Sequence, residues 1–183
     1  MLVKDILCSH QSDVFRIIQL ECSQFIAESQ GMPLYRLLPT AYGTVHRVKV
    51  RQHKRIDEIS AAFNQAFCDE YRNIIPRGVL ANPRKPGSTQ DCEPYYIFPI
   101  NGYKYTYNNT VESSSSFKQM IELLSHDKNA AIDLTTDVIR HTYTNTNLCE
   151  GIRSNSEIII YNIPYFYAVN AREVQDIRTV INN

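Results

Sequence analysis

The sequence predicts an α+β fold whose strands are mainly antiparallel. Helical and extended patterns follow one another as α, β, β, α, β, β-β, α, α, β-β, α, without the regular alternation of a doubly wound protein. Many of the 12 tyrosines lie in short extended clusters, which is typical of half-buried strands. We expect one domain over residues 1–183, with an N-terminal helix at about 13–29, a core at about 30–170 and a C-terminal helix at about 171–181.

Charge and composition argue against several classes of protein. Lys+Arg and Asp+Glu number 19 each, whereas a protein built around nucleic acid is usually basic. No apolar run approaches the roughly 18 residues of a membrane span, and the N-terminus is too polar for a signal peptide. We therefore expect no membrane partner and a cytoplasmic location. The five cysteines form no CxxC pair, which favours reduced thiols, and no Cys/His set predicts a metal site.

The N-terminal part contains two helical and two extended patterns. Apolar residues over 13–28 recur at helical spacing, and Gly31 ends this pattern. The short apolar run 33–39 is bounded by prolines, which favours a strand. Residues 44–51 alternate apolar and basic side chains, as a strand with one basic face does, and residues 56–71 place their apolar residues on one helix face.

The middle of the chain predicts a strand, a loop and a hairpin. Residues 78–81 are apolar and short, and residues 82–94 form a polar loop with three prolines and a glycine. The stretches 95–100 and 103–108 flank Asn101-Gly102, a dipeptide that readily adopts the positive φ angles of a tight hairpin turn.

The C-terminal part predicts two helices and two strands. A serine run at 113–116 can cap a helix that reaches about residue 124, and residues 130–143 form a second amphipathic helix. Residues 157–161 and 165–169 are apolar and aromatic runs around Pro164, as expected of strands.

Familiar catalytic motifs are missing from the sequence. It contains neither GxGxxG nor GxxxxGK[ST], the usual phosphate-binding loops, and neither HExxH nor GxSxG. Three other segments combine chemistry with strand patterns. Pro33-Leu34-Tyr35-Arg36 places an arginine in an apolar strand, Ile97 to Tyr105 reads IFPINGYKY, and Glu157 opens the strand EIIIY before YFYAV.

In their order and spacing, these segments resemble the arginine-class (R-S-E-like) mono-ADP-ribosyltransferases. They also resemble small tailed-bacteriophage proteins with a PLYRG-like start and an IFPIG-YKY-like hairpin. The resemblance covers about residues 30–170. It implies two short, mainly antiparallel sheets around a cleft, with helices outside, and NAD as the substrate whose ADP-ribose is transferred to a host protein or nucleic acid. If the chain is phage-encoded, the host cytoplasm is its expected location.

The resemblance also implies roles for individual residues. Arg36 would grip the NAD phosphates through a bidentate cationic fork. Glu157 would stabilise the positive charge that develops when the bond between ribose and nicotinamide breaks. Tyr35, Tyr95 and Tyr96 are candidates for sandwiching the nicotinamide ring.

The sequence departs from the family pattern at three places. Leu37 stands where the family has glycine, and Asn155 stands where an outer glutamate helps to select the acceptor. Residues 78–83 read GVLANP where a Ser-Thr-Ser strand is expected, so that Asn82 is the nearest polar substitute. The acceptor therefore stays open.

An alternative interpretation is a catalytically inactive protein of the same fold that binds a host protein, a nucleotide or nucleic acid. Its contact surface would be the basic surface Arg47, Lys49, Arg51, Lys54 and Arg55. In a simpler interpretation, Arg36 and Glu157 are strand residues without chemistry and the basic residues form a solvated face.

Overall fold

A computed structural model of the chain describes residues 11–50, 61, 65–67, 78–110, 113, 116, 119, 121 and 128–182. The helices with defined bounds are α1 (Gln11–Glu21), α2 (Ser23–Glu28), α3 (Lys128–Thr142), α4 (Leu148–Arg153) and α5 (Arg178–Ile181). The strands are β1 (Tyr35–Pro39), β2 (Val45–Lys49), β3 (Val79–Ala81), β4 (Cys92–Pro99), β5 (Lys104–Asn108), β6 (Tyr143–Thr144), β7 (Ile158–Tyr161) and β8 (Tyr165–Asn170).

The strands form two sheets in which every pair is antiparallel. The first sheet has the order β1-β4-β8-β2 and the second has the order β3-β7-β5-β6. The α+β class with antiparallel sheets is therefore confirmed. One backbone pair links the sheets, because Tyr35 N–H donates to the Asn82 carbonyl at 2.7 Å and Asn82 N–H donates to the Tyr35 carbonyl at 2.8 Å.

The predicted hairpin around Asn101-Gly102 is wrong. The strand before the turn, β4, pairs with β1 and β8 in the first sheet, whereas the strand after it, β5, pairs with β6 and β7 in the second. Gly102 has the positive φ of 85° that the dipeptide favours. The tight turn is therefore present as predicted, but it leads from one sheet into the other.

The predicted N-terminal helix is present but is broken at Cys22. Cys22 has φ −117° and ψ 19°, between the end of α1 and the start of α2. At the break, Asn101 N–H donates to the Glu21 carbonyl at 2.6 Å. A turn that is distant in sequence therefore donates a hydrogen bond to the last carbonyl of α1. The helical periodicity of residues 13–28 does not predict this break.

The C-terminal helix is much shorter than predicted, since α5 spans four residues. Before it, side chains bond to nearby backbone groups in place of a helix. Asn170 Oδ1 accepts from Arg172 N–H at 2.9 Å, and Asp176 Oδ1 accepts from Arg178 N–H at 2.9 Å. Such local bonds by Asn and Asp compete with helix formation.

The remaining predicted elements agree to different degrees. Helix α3 and strands β1, β2, β3, β7 and β8 lie within a few residues of their predicted bounds. Most of the predicted helices at 56–71 and 113–124 lies outside the described residues. The structure adds α4 and β6, which the sequence analysis did not predict because each is too short to show periodicity.

The buried residues form two apolar clusters. The larger cluster joins α1, α2, both sheets, α4 and the C-terminal segment, from Val14 to Val180. The smaller cluster lies on the second sheet around Ile159 and includes Phe67, Ile121 and Ile139. Within the described part of the chain, no helix has both the length and the apolar character needed to cross a membrane.

Candidate functional site

Arg36 is a half-buried cation at the junction of the two sheets. It lies on β1, and its Nη1 donates to the Leu80 carbonyl of β3 at 2.7 Å. Burial lowers the pKa of Arg36, and the negative charge of Glu157 opposes this shift. Since an arginine keeps its charge in proteins, the two predicted catalytic residues form an interacting pair of opposite charges.

Asn82 and Glu157 lie at the same end of the β3–β7 ladder. The last residue pair of this ladder joins Ala81 to Ile158. Asn82 follows Ala81 in the chain and Glu157 precedes Ile158, so the antiparallel ladder brings them side by side. The backbone pairing of Asn82 with Tyr35 then places both beside the start of β1. The structure therefore brings together Arg36, Asn82 and Glu157.

A short ordered turn leads from α4 into Glu157. Ser154 Oγ donates to the Gly151 carbonyl at 2.8 Å and lies 3.1 Å from Ser156 Oγ. Asn155 adopts a left-handed conformation with φ 60°, which asparagine tolerates better than most residues. Ser156 is 4% exposed. These contacts fix the chain immediately before the carboxylate.

Tyr95 lies on the same face of the first sheet as Arg36, because the two are direct cross-strand partners. Its side chain is fully buried, and its hydroxyl donates to the Gly43 carbonyl at 3.1 Å. Burial is the largest cause of its raised pKa. Tyr95 therefore forms part of the packed wall beneath the site and offers no ring face for stacking.

Tyr35 and Tyr96 lie on the opposite face of this sheet. They are direct partners, and each is next in sequence to a member of the Arg36–Tyr95 pair, so their side chains point the other way. Their ring centroids are 5.1 Å apart and the ring planes are inclined by 37°. The structure thus separates the predicted ring-binding tyrosines Tyr35 and Tyr96 from the charged pair.

These two tyrosines line an open hollow of about 510 Å³. The hollow lies between the turn after α2 and the segment that leads into α5. We call it the Tyr35 hollow; its lining residues are Gln30, Gly31, Met32, Pro33, Tyr35, Tyr96, Gln175, Asp176, Ile177 and Arg178.

Two residues of the predicted basic surface are described, and both lie on β2, an edge strand of the first sheet. Arg47 and Lys49 are exposed, and the Arg47 guanidinium carbon lies 3.6 Å from the centroid of the Tyr165 ring. Arg47 therefore also has a packing role. Arg51, Lys54 and Arg55 lie outside the described residues.

Two groups at the junction were not predicted from the sequence. The Leu80 carbonyl accepts from Arg36, and no sequence signal marks a backbone acceptor in an apolar strand. Ser156 is a buried polar residue directly before Glu157, and its hydroxyl next to a strand start was a signal available in the sequence. Among the described residues, no group of three or more His, Cys, Asp or Glu side chains could hold a metal ion.

Comparisons with known proteins found no relative of this chain. Neither the protein families, nor the curated proteins, nor the solved structures contain a significant match to this chain.

Proposed function

We propose that this chain binds NAD at the junction of the two sheets and transfers its ADP-ribose group to a host macromolecule. The observation that carries the proposal is the convergence of Arg36, Asn82 and Glu157, which the sequence separates widely. A half-buried cation beside a carboxylate, at the edge of two sheets, combines the two charges that this reaction needs.

Arg36 would bind the diphosphate of NAD. A guanidinium has five N–H donors in a fixed fork, which matches the oxygen atoms of a phosphate. One donor is used by the Leu80 carbonyl, and this bond fixes the direction of the fork. Because the site is half-buried, the attraction between Arg36 and the two negative charges of the diphosphate is stronger than it would be in water.

Glu157 would act on the ribose. The bond between the ribose C1′ and the nicotinamide nitrogen breaks, and nicotinamide leaves with the electron pair. The sugar becomes a cation that the Glu157 carboxylate stabilises. A nucleophilic atom of the acceptor then bonds to C1′ and loses its proton. Asn82, beside Glu157, would offer an amide to the ribose hydroxyls.

The direct experiment measures nicotinamide release and labelled product from labelled NAD with a host lysate. We expect Glu157→Gln to lower the rate by a factor of about one hundred or more, because it removes a positioned charge. The matched control is Glu150→Gln, an exposed position on α4, which should keep the rate of the unmodified protein.

A preparation that releases no nicotinamide and labels no macromolecule at millimolar NAD would contradict the catalytic proposal. Equal rates in Glu157→Gln and Glu150→Gln would contradict the role of Glu157. Circular dichroism of both variants separates a loss of chemistry from a loss of structure.

A second candidate function is binding without catalysis on the same scaffold. It is favoured by β3, where Val79, Leu80 and Ala81 supply no hydroxyl beside Glu157. Leu37 also places a side chain that is 36% exposed directly after Arg36. A thermal-shift titration discriminates the two functions, since a ligand that binds the native state raises its stability. A shift with NAD but no turnover would favour binding alone.

A further inference from the structure

We infer that the Tyr35 hollow is a second ligand site, separate from the Arg36–Glu157 junction, which takes a nucleotide with its base against Tyr35 and its phosphate towards Arg178 at the rim. This site goes beyond the proposed function, because Tyr35 and Arg36 are consecutive strand residues that face opposite sides of the sheet.

The floor of the hollow suits a planar ring. Tyr35 is half-buried, so that part of its ring meets solvent, while Tyr96 is 3% exposed and supports it from behind. The Tyr35 and Tyr96 ring centroids lie 5.1 Å apart with the ring planes inclined by 37°, and a base would stack on Tyr35. Each of the nucleic-acid bases can stack on an aromatic side chain, because every base has a flat aromatic face.

The floor is also held firmly in place. Tyr96 OH donates to the Gln175 carbonyl at 3.0 Å and so ties the first sheet to the segment before α5. Gly31 adopts φ 72°, and Met32 N–H donates to the Ser29 carbonyl at 3.0 Å. A site that is already formed loses little free energy to ordering when a ligand binds.

The rim supplies hydrogen-bonding groups and positive charge. Arg178 has a side chain that is 79% exposed, and its Nε lies 3.7 Å from Asp176 Oδ1. Arg153 does not line the hollow, but its Nη2 donates to Oε1 of the lining residue Gln30 at 3.4 Å. Arg178 and Asp176 are the charged residues of the lining, so that Arg178 is the cation available to a phosphate, and the glutamine amides can bond to the edge of a base.

The size of the hollow also matches this class of ligand. A volume of about 510 Å³ lies within the usual range of small-molecule pockets. The same chemistry could come from a free mononucleotide or from the end of a single-stranded nucleic acid, because both present one base and one phosphate.

The test titrates adenosine monophosphate and a short single-stranded oligonucleotide into the full chain by calorimetry. We expect Tyr35→Leu to weaken binding at least about tenfold through loss of stacking. Arg178→Gln should weaken binding about three- to tenfold, and less at high salt. The matched controls are Tyr42→Leu, whose ring stacks on His46 elsewhere on the sheet, and Arg16→Gln on the exposed side of α1.

Arg36→Gln distinguishes this site from the junction, because Arg36 lies on the opposite face of the sheet from Tyr35. If adenosine monophosphate or the oligonucleotide binds the Arg36→Gln protein as tightly as the unmodified protein, and Arg178→Gln weakens binding, the second site is supported. Tighter binding of the oligonucleotide would identify the end of a nucleic acid as the ligand. Tighter binding of the mononucleotide would identify a free nucleotide as the ligand. No binding of either probe, loss of binding in Arg36→Gln, or equal loss in Arg16→Gln and Arg178→Gln would overturn the inference. Arg178 is exposed, so its substitution tests the site without threatening the fold.

Discussion

Arg36 shows how a half-buried charge is accommodated. Moving a cation out of water is costly unless it is paired and hydrogen-bonded. Arg36 meets both conditions, through the Leu80 carbonyl at 2.7 Å and through the charge of Glu157. Leu80 lies on a strand of the second sheet, and Glu157 directly precedes another strand of that sheet. The arginine, which lies on the first sheet, therefore couples the two sheets.

Gly151 is the position where one added carbon has the clearest consequence. A Cβ atom built there would lie 2.7 Å from Cδ1 of Tyr107, and this ring is 1% exposed with its hydroxyl bonded to the Thr146 carbonyl at 2.9 Å. Because the ring cannot easily move, we expect Gly151→Ala to lower the free energy of unfolding by about 1–2 kcal/mol. Overpacking outweighs the roughly 1 kcal/mol gain in helix propensity. Urea denaturation measures the change.

Gly87→Ala is the matched control for this substitution. No atom lies within 4 Å of the Cβ position at Gly87, so the methyl group should leave stability unchanged or raise it by up to about 1 kcal/mol. A Gly151→Ala protein as stable as the unmodified one would show that α4 can shift away from Tyr107.

Asn101 connects two elements that are far apart in sequence. Cys22, at the N-cap position of α2, makes no side-chain capping bond. Asn101 supplies that bond from the turn between β4 and β5, because its Oδ1 accepts from Gln24 N–H at 2.9 Å and its Nδ2 donates to the Leu20 carbonyl at 3.0 Å. A residue of the inter-sheet turn therefore caps one helix and ends another.

We expect Asn101→Ala to destabilise the protein by about 1–2 kcal/mol, the usual cost of losing an N-cap. Amide hydrogen exchange at Gln24 should become faster, because its N–H loses its acceptor. Asn145→Ala, at an exposed loop position, should change stability by less than about 0.5 kcal/mol. Unchanged exchange at Gln24 would mean that the capping bond does not form in solution.

Buried tyrosines make the stability of the whole molecule sensitive to alkali. Burial is the largest cause that raises the pKa of Tyr96 to about 12. Burial, followed by a carboxylate neighbour, also raises the pKa of Tyr103 beside Glu28 and of Tyr167 beside Glu21. All three tyrosines belong to the larger buried cluster, which joins both sheets to the helices.

The direction of the pH effect follows from these shifts. Each folded-state pKa lies above that of the unfolded chain, about 10. The unfolded state therefore releases protons first, and stability is complete below about pH 10 and falls as the pH rises further. We expect the free energy of unfolding in urea to decrease from pH 9 to pH 11.5, and Tyr167→Phe to reduce that slope. A constant value over this range would contradict the burial of these hydroxyls.

Local patterns were sufficient to predict much of the secondary structure. The bounds of β1, β3, β7, β8 and α3 follow from alternation, helical spacing and prolines that act over a few residues. The same patterns, read with the family resemblance, singled out Arg36, Asn82 and Glu157. Asn170 and Asp176 are residue types that often bond to nearby backbone groups. Only the structure shows that they form these bonds here in place of a longer helix.

The sequence by itself determined the α+β class and which residues alternate along each strand. Strand pairing was decided by the tertiary structure, because it depends on contacts between distant segments that no local period encodes. That is why β4 and β5 lie in different sheets despite their tight turn. Strand alternation places Tyr35 and Arg36 on opposite faces, but only the packing of distant segments decides that one face meets Glu157 and the other the hollow.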